Sequence, residues 1–236
     1  MNRTWRAMLA SAGVAAALVV ATAGPAMAVD ADDDPTVGPG ASLAAIQRAG
    51  AEATDRRIDS LNVAIARVDG NDALTDDDRA AILNTLTADL DAMTDLAGQI
   101  AGDTTVADAA ADYHAIFTDY RVYAVALPQS LYAASADALT GSILPRLQTV
   151  HDNLEARLAA GDPDPDLEAL LDEMQQKIQD AEAGAATIAA DALAVTPADW
   201  NADHTVLTDI RAELRDAGQD ARDAARDARQ IAQGLR

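Results

Sequence analysis

Cysteine is absent from the 236 residues of this chain, so neither a disulfide framework nor a lipid-modified cysteine is possible. Lysine is almost absent as well, with Lys177 the only one. The chain has 17 basic and 39 acidic residues, a formal net charge of −22. A surface this acidic repels nucleic acid and anionic lipid, so we expect neither as a partner. A cationic partner or divalent cations would suit this field better, but the simpler interpretation is that the charge keeps the protein soluble.

Motifs that carry known chemistry are also missing. The sequence contains no G-x-S-x-G, no Gly-rich phosphate loop and no H-E-x-x-H. The three histidines, His114, His151 and His204, have no second histidine or cysteine at ligand spacing, so no zinc site is expected. Among 39 carboxylates, acid pairs arise by chance and none can be singled out. We therefore predict no catalytic residue, no cofactor and a non-catalytic role.

The N-terminal 28 residues have the pattern of a secretory signal peptide. Arg3 and Arg6 precede a largely apolar run over 7–23, and Gly24-Pro25 and Ala26-Met27-Ala28 follow. Cleavage after Ala28 would leave 208 residues with 15 basic and 39 acidic side chains, a net charge of −24. An uncleaved membrane anchor is the alternative, although about 17 apolar residues are short for a span. We expect a secreted protein, extracellular or loosely associated with the cell envelope, with no stable membrane insertion after cleavage.

The remainder divides into a leader and a helical domain. Residues 29–41 are acidic and interrupted by prolines and glycines, which predicts a disordered leader. Over 42–236, apolar residues recur at spacings of three and four and never alternate with polar ones, which predicts helices throughout. The six predicted helices cover about 42–69, 76–101, 106–123, 129–160, 166–194 and 197–234. Short connections and a mean spacing of 3.5 predict an all-α, elongated antiparallel bundle of five to six helices with coiled-coil-like heptad packing.

Several helix boundaries have their own signals. Thr75, Thr105 and Thr196 are each followed by aspartate three residues later, the pattern of an N-cap with an acid in the first turn. Pro145 lacks the N–H that would bond to residue 141, so the fourth helix should kink or break there.

The aromatic residues are concentrated in one segment. Of the six beyond residue 28, five lie within 113–132: Tyr113, Phe117, Tyr120, Tyr123 and Tyr132. Tyr113, Phe117 and Tyr120 share one helical face with Ile116, Ala124 and Leu127. Helical spacing favours a core layer, with a groove for a peptide, hydrophobic ligand or partner helix as the alternative. Tyr123, near Pro128, is the best candidate for an exposed contact. The candidate binding residues are Tyr113, Tyr120, Tyr123, Tyr132 and Trp200.

One acidic stretch resembles a calcium loop in its spacing. Asp162, Asp164, Asp166 and Glu173 stand at positions 1, 3, 5 and 12 of an EF-hand-like loop. The sharp turn that calcium loops make at position 6 normally uses glycine, but Leu167 stands there. An acidic helix entrance is the better interpretation, and the four residues remain a weak metal candidate.

Two runs, 119–129 (DYRVYAVALPQ) and 196–204 (TPADWNADH), together with the Ala/Asp/Arg bias and the single lysine, carry a resemblance. The chain resembles secreted helical proteins of high-GC Gram-positive bacteria, a group to which no activity is assigned. The stretch Leu74-Thr75-x-x-Asp78 is also similar to the L-T-x-x-Q signature of small helical periplasmic chaperones, with Asp in place of Gln.

These observations leave three hypotheses for function. The first is a non-catalytic binding or structural protein of the cell envelope or exterior, with another protein or an envelope component as partner. The second is a holdase-like chaperone, or a binder of hydrophobic peptides or ligands, that uses the segment Tyr113–Tyr132. The third is a hydrolase-type enzyme without a recognisable motif. The C-terminal helix, with alanines at 217, 221, 224 and 228, offers a possible homodimer contact.

Overall fold

A computed structural model describes residues 40–235, and every regular element in that range is helical. This confirms the all-α prediction. The predicted signal peptide and nearly all of the predicted leader lie outside the described residues. The α-helices are α1 (Leu43–Asp69), α2 (Asp76–Gly102), α3 (Val106–Thr118), α4 (Leu127–Ala138), α5 (Leu144–Ala159), α6 (Pro165–Ala185), α7 (Ile188–Ala194), α8 (Pro197–Ala202) and α9 (Val206–Gly234). Two five-residue π-helical segments, Val122–Ala126 and Leu139–Ile143, precede α4 and α5.

The predicted helix starts at the three threonines are confirmed. The side chains of Thr75, Thr105 and Thr196 accept hydrogen bonds from the backbone N–H groups three residues later, at 3.1–3.2 Å. At Thr196 the aspartate side chain also accepts from the Thr196 N–H, which completes a capping box. Each cap satisfies a backbone donor that the first turn of a helix leaves free.

The prolines interrupt regular α-helix, as predicted for Pro145. Pro128 and Pro145 both occupy the second position of an α-helix, and each follows a π-helical segment. A proline has no N–H for the turn before it, and a wider turn accommodates that missing bond. The predicted third helix is too long, since α3 ends at Thr118 and Arg121 has a left-handed backbone, φ 46°. The predicted fifth and sixth helices are also each divided, after Ala185 and after Ala202.

The described residues form two compact units. The larger unit contains residues 40–142 and 185–214, and the smaller unit contains residues 143–184 and 215–235. Among the described residues, no helix is both long enough and apolar enough to cross a membrane.

In the larger unit, α1 and α2 run antiparallel. At one end, Gln47 donates hydrogen bonds to the backbone carbonyls of Ala101 and Asp103. At the other end, Arg79 donates to the carbonyl of Val68. A Cβ atom on Gly50 would lie 2.8 Å from Ile100 Cγ2, so a larger residue at this position would require the Ile100 side chain to shift. The fully buried side chains around this pair include Ile46, Leu61, Ile82, Leu86, Met93, Ile100 and Ile116.

A buried carboxylate joins α4 to the start of α2. Asp137 is buried, and its Oδ2 accepts a hydrogen bond from the Thr75 N–H at 2.9 Å. Thr75 is the N-cap residue of α2, so Asp137 stabilises that helix start from 62 residues away. Burial raises the pKa of the Asp137 carboxyl.

The smaller unit consists of α5, α6 and the C-terminal part of α9. Leu167 lies against Gly234, and Gly184 lies beside Ala217, so α6 and α9 run antiparallel. The apolar side chains of α6 predicted from the three–four spacing are buried here: Leu171, Met174, Ile178 and Ala181. Four leucines of α5 are buried as well: Leu144, Leu147, Leu154 and Leu158. The alanines of α9, at 217, 221, 224 and 228, are also buried. The seam that suggested a homodimer contact therefore packs within the chain.

An ion pair connects α6 and α9 inside the smaller unit. Lys177 Nζ lies 2.8 Å from Asp227 Oδ2 and 2.7 Å from Glu173 Oε1. Asp227 is buried, whereas the Glu173 side chain is exposed. The hydrogen bonds to Asp227 and then Glu173 raise the pKa of the Lys177 ammonium. The single lysine of the chain thus neutralises a buried carboxylate.

Candidate functional site

The aromatic segment is built around Arg57 of α1. Its guanidinium carbon lies 4.5 Å from the centroid of the Phe117 ring and 4.9 Å from that of Tyr123. Tyr113 packs edge-on against Phe117, with ring centroids 5.3 Å apart. Arg57, Phe117 and Tyr113 are all buried, so the core interpretation holds for these rings. We call this set, with Tyr123, the arginine–aromatic cluster.

Arg57 is a buried cation whose stabilising contacts come mainly from the aromatic rings. It is 7% exposed, and its Nη1 donates to the Ala53 carbonyl at 3.0 Å. Its Nε is buried and has no hydrogen-bond partner among the described residues. Burial lowers the pKa of the Arg57 guanidinium, which nevertheless stays charged because arginine does not deprotonate in proteins. Its charge is therefore stabilised by the faces of two aromatic rings.

Tyr123 is not the free surface contact that the sequence predicts. It is half-buried, and its hydroxyl donates to the Arg56 carbonyl at 3.0 Å and lies 3.2 Å from Ser60 Oγ. The π-helical segment that contains Tyr123 directs this residue back onto α1. The ring of Tyr123 contacts Arg57 and its hydroxyl hydrogen-bonds to Arg56, so Tyr123 connects the aromatic segment to α1.

The remaining candidate residues do not join the cluster. Tyr120 is half-buried and packs against the apolar core of the larger unit. Tyr132, on α4, is half-buried. The single helical face predicted for the segment ends with α3 at Thr118, since Arg121 turns the chain away. The five rings therefore do not form one continuous surface.

Trp200 belongs to a second contact, in which the two runs that carry the resemblance meet. Asn201 of α8 donates to the Thr118 carbonyl at 2.7 Å and accepts from Arg121 Nε at 2.8 Å. These two hydrogen bonds hold the left-handed turn at Arg121 against α8. Trp200 is half-buried and stacks on His204 at 5.4 Å, and its buried Nε1 has no hydrogen-bond partner among the described residues.

The acidic stretch with EF-hand-like spacing, residues 162–173, forms the N-terminal cap and the first turns of α6. Asp164 caps α6, since its Oδ1 accepts from the backbone N–H groups of Asp166 and Leu167, both at 3.2 Å. Asp162 and Asp166 are exposed, and Glu173 pairs with Lys177. Asp166 and Glu173 are separated by seven residues of α6, about 10 Å of helical rise, so they do not converge on one ion.

A different set of ligand-type residues lies on α5 in the smaller unit. His151, Asp152 and Glu155 each offer one ligand atom, and these atoms all lie within 4.8 Å of one another. This set was not predicted from the sequence, because no second histidine or cysteine stands near His151 and the other two members are carboxylates. An H-D-x-x-E pattern on a predicted helix is the signal that would have found it.

Comparison with known proteins gives no relatives: no family model, no curated protein and no solved structure matches this chain. The resemblance to secreted helical proteins and the similarity to the periplasmic chaperone signature therefore stay predictions. The arginine–aromatic cluster offers packing and cation–π contacts, whereas the α5 set offers a nitrogen and two oxygen donors.

Proposed function

We propose that this chain is an exported, non-catalytic helical protein with a structural or binding role at the cell envelope or outside the cell. Support for export comes from the signal-peptide pattern and from the charge that would remain after cleavage. Support for a non-catalytic role comes from the aromatic segment, whose rings pack inside the larger unit. Its central rings pack on Arg57, and this is the observation that carries the proposal.

A structural or protein-binding role explains the surface better than a hydrophobic-ligand role. Among the described residues, the large hydrophobic side chains that are exposed are Val63 and Val106. A holdase or lipid binder needs an accessible apolar patch, and two isolated valines do not make one. The acidic surface instead favours a partner with basic side chains, such as a cationic segment of an envelope protein. A homodimer through α9 would use the face opposite its buried alanines.

Export is tested by the mass of the protein recovered from a secreting host. The full chain, produced with its own N-terminus in a high-GC Gram-positive host, should appear in the medium or in a salt wash of the cells. Its intact mass should correspond to a chain that begins at Val29, as the Ala26-Met27-Ala28 pattern predicts. A cell-bound species that retains Trp5 would overturn the proposal of release and favour an anchor.

The binding mode is tested with a non-ionic apolar dye and an unfolding client protein. We expect no saturable dye binding to the folded chain and no suppression of client aggregation. Saturable binding that Tyr132→Ser or Trp200→Ala abolishes, with unfolding midpoints unchanged, would replace the proposal with the hydrophobic-binder hypothesis. Val63→Ser serves as a matched surface control, since Val63 is exposed and lies outside the aromatic segment.

A further inference from the structure

The smaller unit places one imidazole and two carboxylates together on α5. His151 is buried, while Asp152 and Glu155 are exposed on the same helix, one and four residues further along. His151 Nδ1 lies 3.2 Å from Asp152 Oδ1, and no ligand atom of the three is more than 4.8 Å from another. A buried imidazole therefore faces solvent-accessible oxygen donors.

These separations fit a small divalent ion. Zinc binds nitrogen and oxygen ligands at about 2.0–2.2 Å in tetrahedral geometry, which places two ligand atoms about 3.3–3.5 Å apart. The His151–Asp152 separation is already close to that value. Glu155 is exposed, so its carboxylate can move inward by the remaining distance through a change of rotamer.

The neighbouring glutamines hold the donor set in place. Gln148 Nε2 donates to Asp152 Oδ1 at 2.8 Å and to Gln175 Oε1 of α6 at 3.1 Å. Hydrogen bonds of this kind orient metal ligands and commonly change metal affinity about 10-fold or more.

We propose that His151, Asp152 and Glu155 bind one divalent transition-metal ion, with water in the remaining coordination positions. An imidazole ligand favours zinc, nickel or copper over calcium and magnesium, which prefer oxygen donors alone. The net charge of −22 concentrates cations near the chain and increases their local supply. The site is independent of the proposed function, because it lies in the smaller unit and uses none of the aromatic residues.

Calorimetric titration of the full mature chain with zinc chloride, in a non-chelating buffer, tests the proposal. We expect one saturable site, with at least 10-fold weaker zinc binding in His151→Ala and a clear loss in Glu155→Gln. His204→Ala is the matched control and should bind zinc as the parent chain does, since His204 lies in the larger unit. Magnesium chloride at the same concentration should not compete with zinc.

Glu155→Gln distinguishes loss of a ligand from misfolding, because Glu155 is exposed and its substitution should leave the unfolding midpoint unchanged. Circular dichroism of each variant checks that the helices persist. Zinc binding that is unchanged in both His151→Ala and Glu155→Gln would show diffuse attraction to carboxylates and overturn the proposal. Absence of saturable zinc binding by the parent chain at millimolar concentration would also overturn it.

Discussion

The guanidinium of Arg57 lies 4.5 Å from the centroid of the Phe117 ring, with both residues buried in the larger unit. Among residues 40–235, no carboxylate pairs with Arg57, and the face of an aromatic ring offsets part of the hydration that this buried cation has lost. Phe117 therefore contributes to stability both by its buried apolar area and by its interaction with Arg57.

Phe117→Ala should lower the free energy of unfolding by about 3–5 kcal/mol, because it removes a buried ring and one stabilising contact of Arg57. Urea unfolding followed by circular dichroism at 222 nm measures the loss. Val106→Ala, at an exposed position of the same helix, should cost less than about 0.5 kcal/mol and serves as the control. An unchanged midpoint in Phe117→Ala would place the ring on the surface and remove the basis of the core interpretation.

Tyr123 allows the contribution of its ring to be separated from that of its hydroxyl. Tyr123→Phe keeps the ring over Arg57 but loses the hydrogen bond to the Arg56 carbonyl, so we expect a loss of about 0.5–1.5 kcal/mol. Tyr123→Ala removes both and should cost about 2–3 kcal/mol. Equal denaturation midpoints for the parent chain and Tyr123→Ala would mean that the ring does not pack on α1 in solution.

Lys177→Met should lower the free energy of unfolding by about 2–4 kcal/mol, because it leaves the Asp227 carboxylate buried without its partner. Glu173→Gln breaks only the exposed pair on α6 and should cost less than about 0.5 kcal/mol. The double variant Lys177→Met/Asp227→Leu should regain most of the loss, since it replaces both charges by apolar groups. Equally small effects from Lys177→Met and Glu173→Gln would contradict the importance of the buried pair.

Asp89 makes the stability of the chain depend on pH. Burial raises the pKa of the Asp89 carboxyl in the folded chain to about 6, above the value of about 3.9 for an unfolded chain. The folded state therefore holds this proton more tightly, and its contribution to stability is greatest below about pH 4 and decreases as the pH rises to about 6. The loss would be about 3 kcal/mol from two pKa units, and solvent screening of a partly exposed group reduces it to about 1–2 kcal/mol.

Asp89→Asn should remove that dependence. We expect the variant to have a higher thermal midpoint than the parent chain at pH 7.5 and nearly the same midpoint at pH 4. Asp91→Asn, at an exposed position two residues along α2, controls for the general loss of a negative charge. If both variants raise the midpoint equally at pH 7.5, the effect belongs to the net charge of the chain and not to the burial of Asp89.

The sequence predicts the helices well where local signals and burial agree. The threonine caps fix the starts of α2, α3 and α8, because a side chain that satisfies a free N–H acts within three residues. The apolar positions of α6 are buried as their spacing predicts, including Leu171, Met174 and Ile178. In both cases the interaction that decides the structure is short in sequence or is repeated along one helix.

Long-range contacts are what the sequence does not predict. The left-handed backbone at Arg121 is held by Asn201, 80 residues away, so no local pattern marks the end of α3 at Thr118. Arg57 has no feature in the sequence that indicates burial, since its stabilising rings come from residues 60 or more positions further on. Each π-helical segment also changes the helical register. Residues placed on one face with Tyr113 by α-helical spacing therefore do not stay on one face beyond such a segment.

Lys177 also determines how the chain responds to reagents that acylate amines. Besides the N-terminal amine, it is the only amine in the chain, and in the folded smaller unit its ammonium lies between two carboxylates. Acylation requires the neutral amine, and both hydrogen bonds raise the pKa of Lys177, so the reaction should be slow until α6 and α9 separate. The rate at which a single acyl group is added at this position would therefore measure how often the smaller unit opens, without any introduced label.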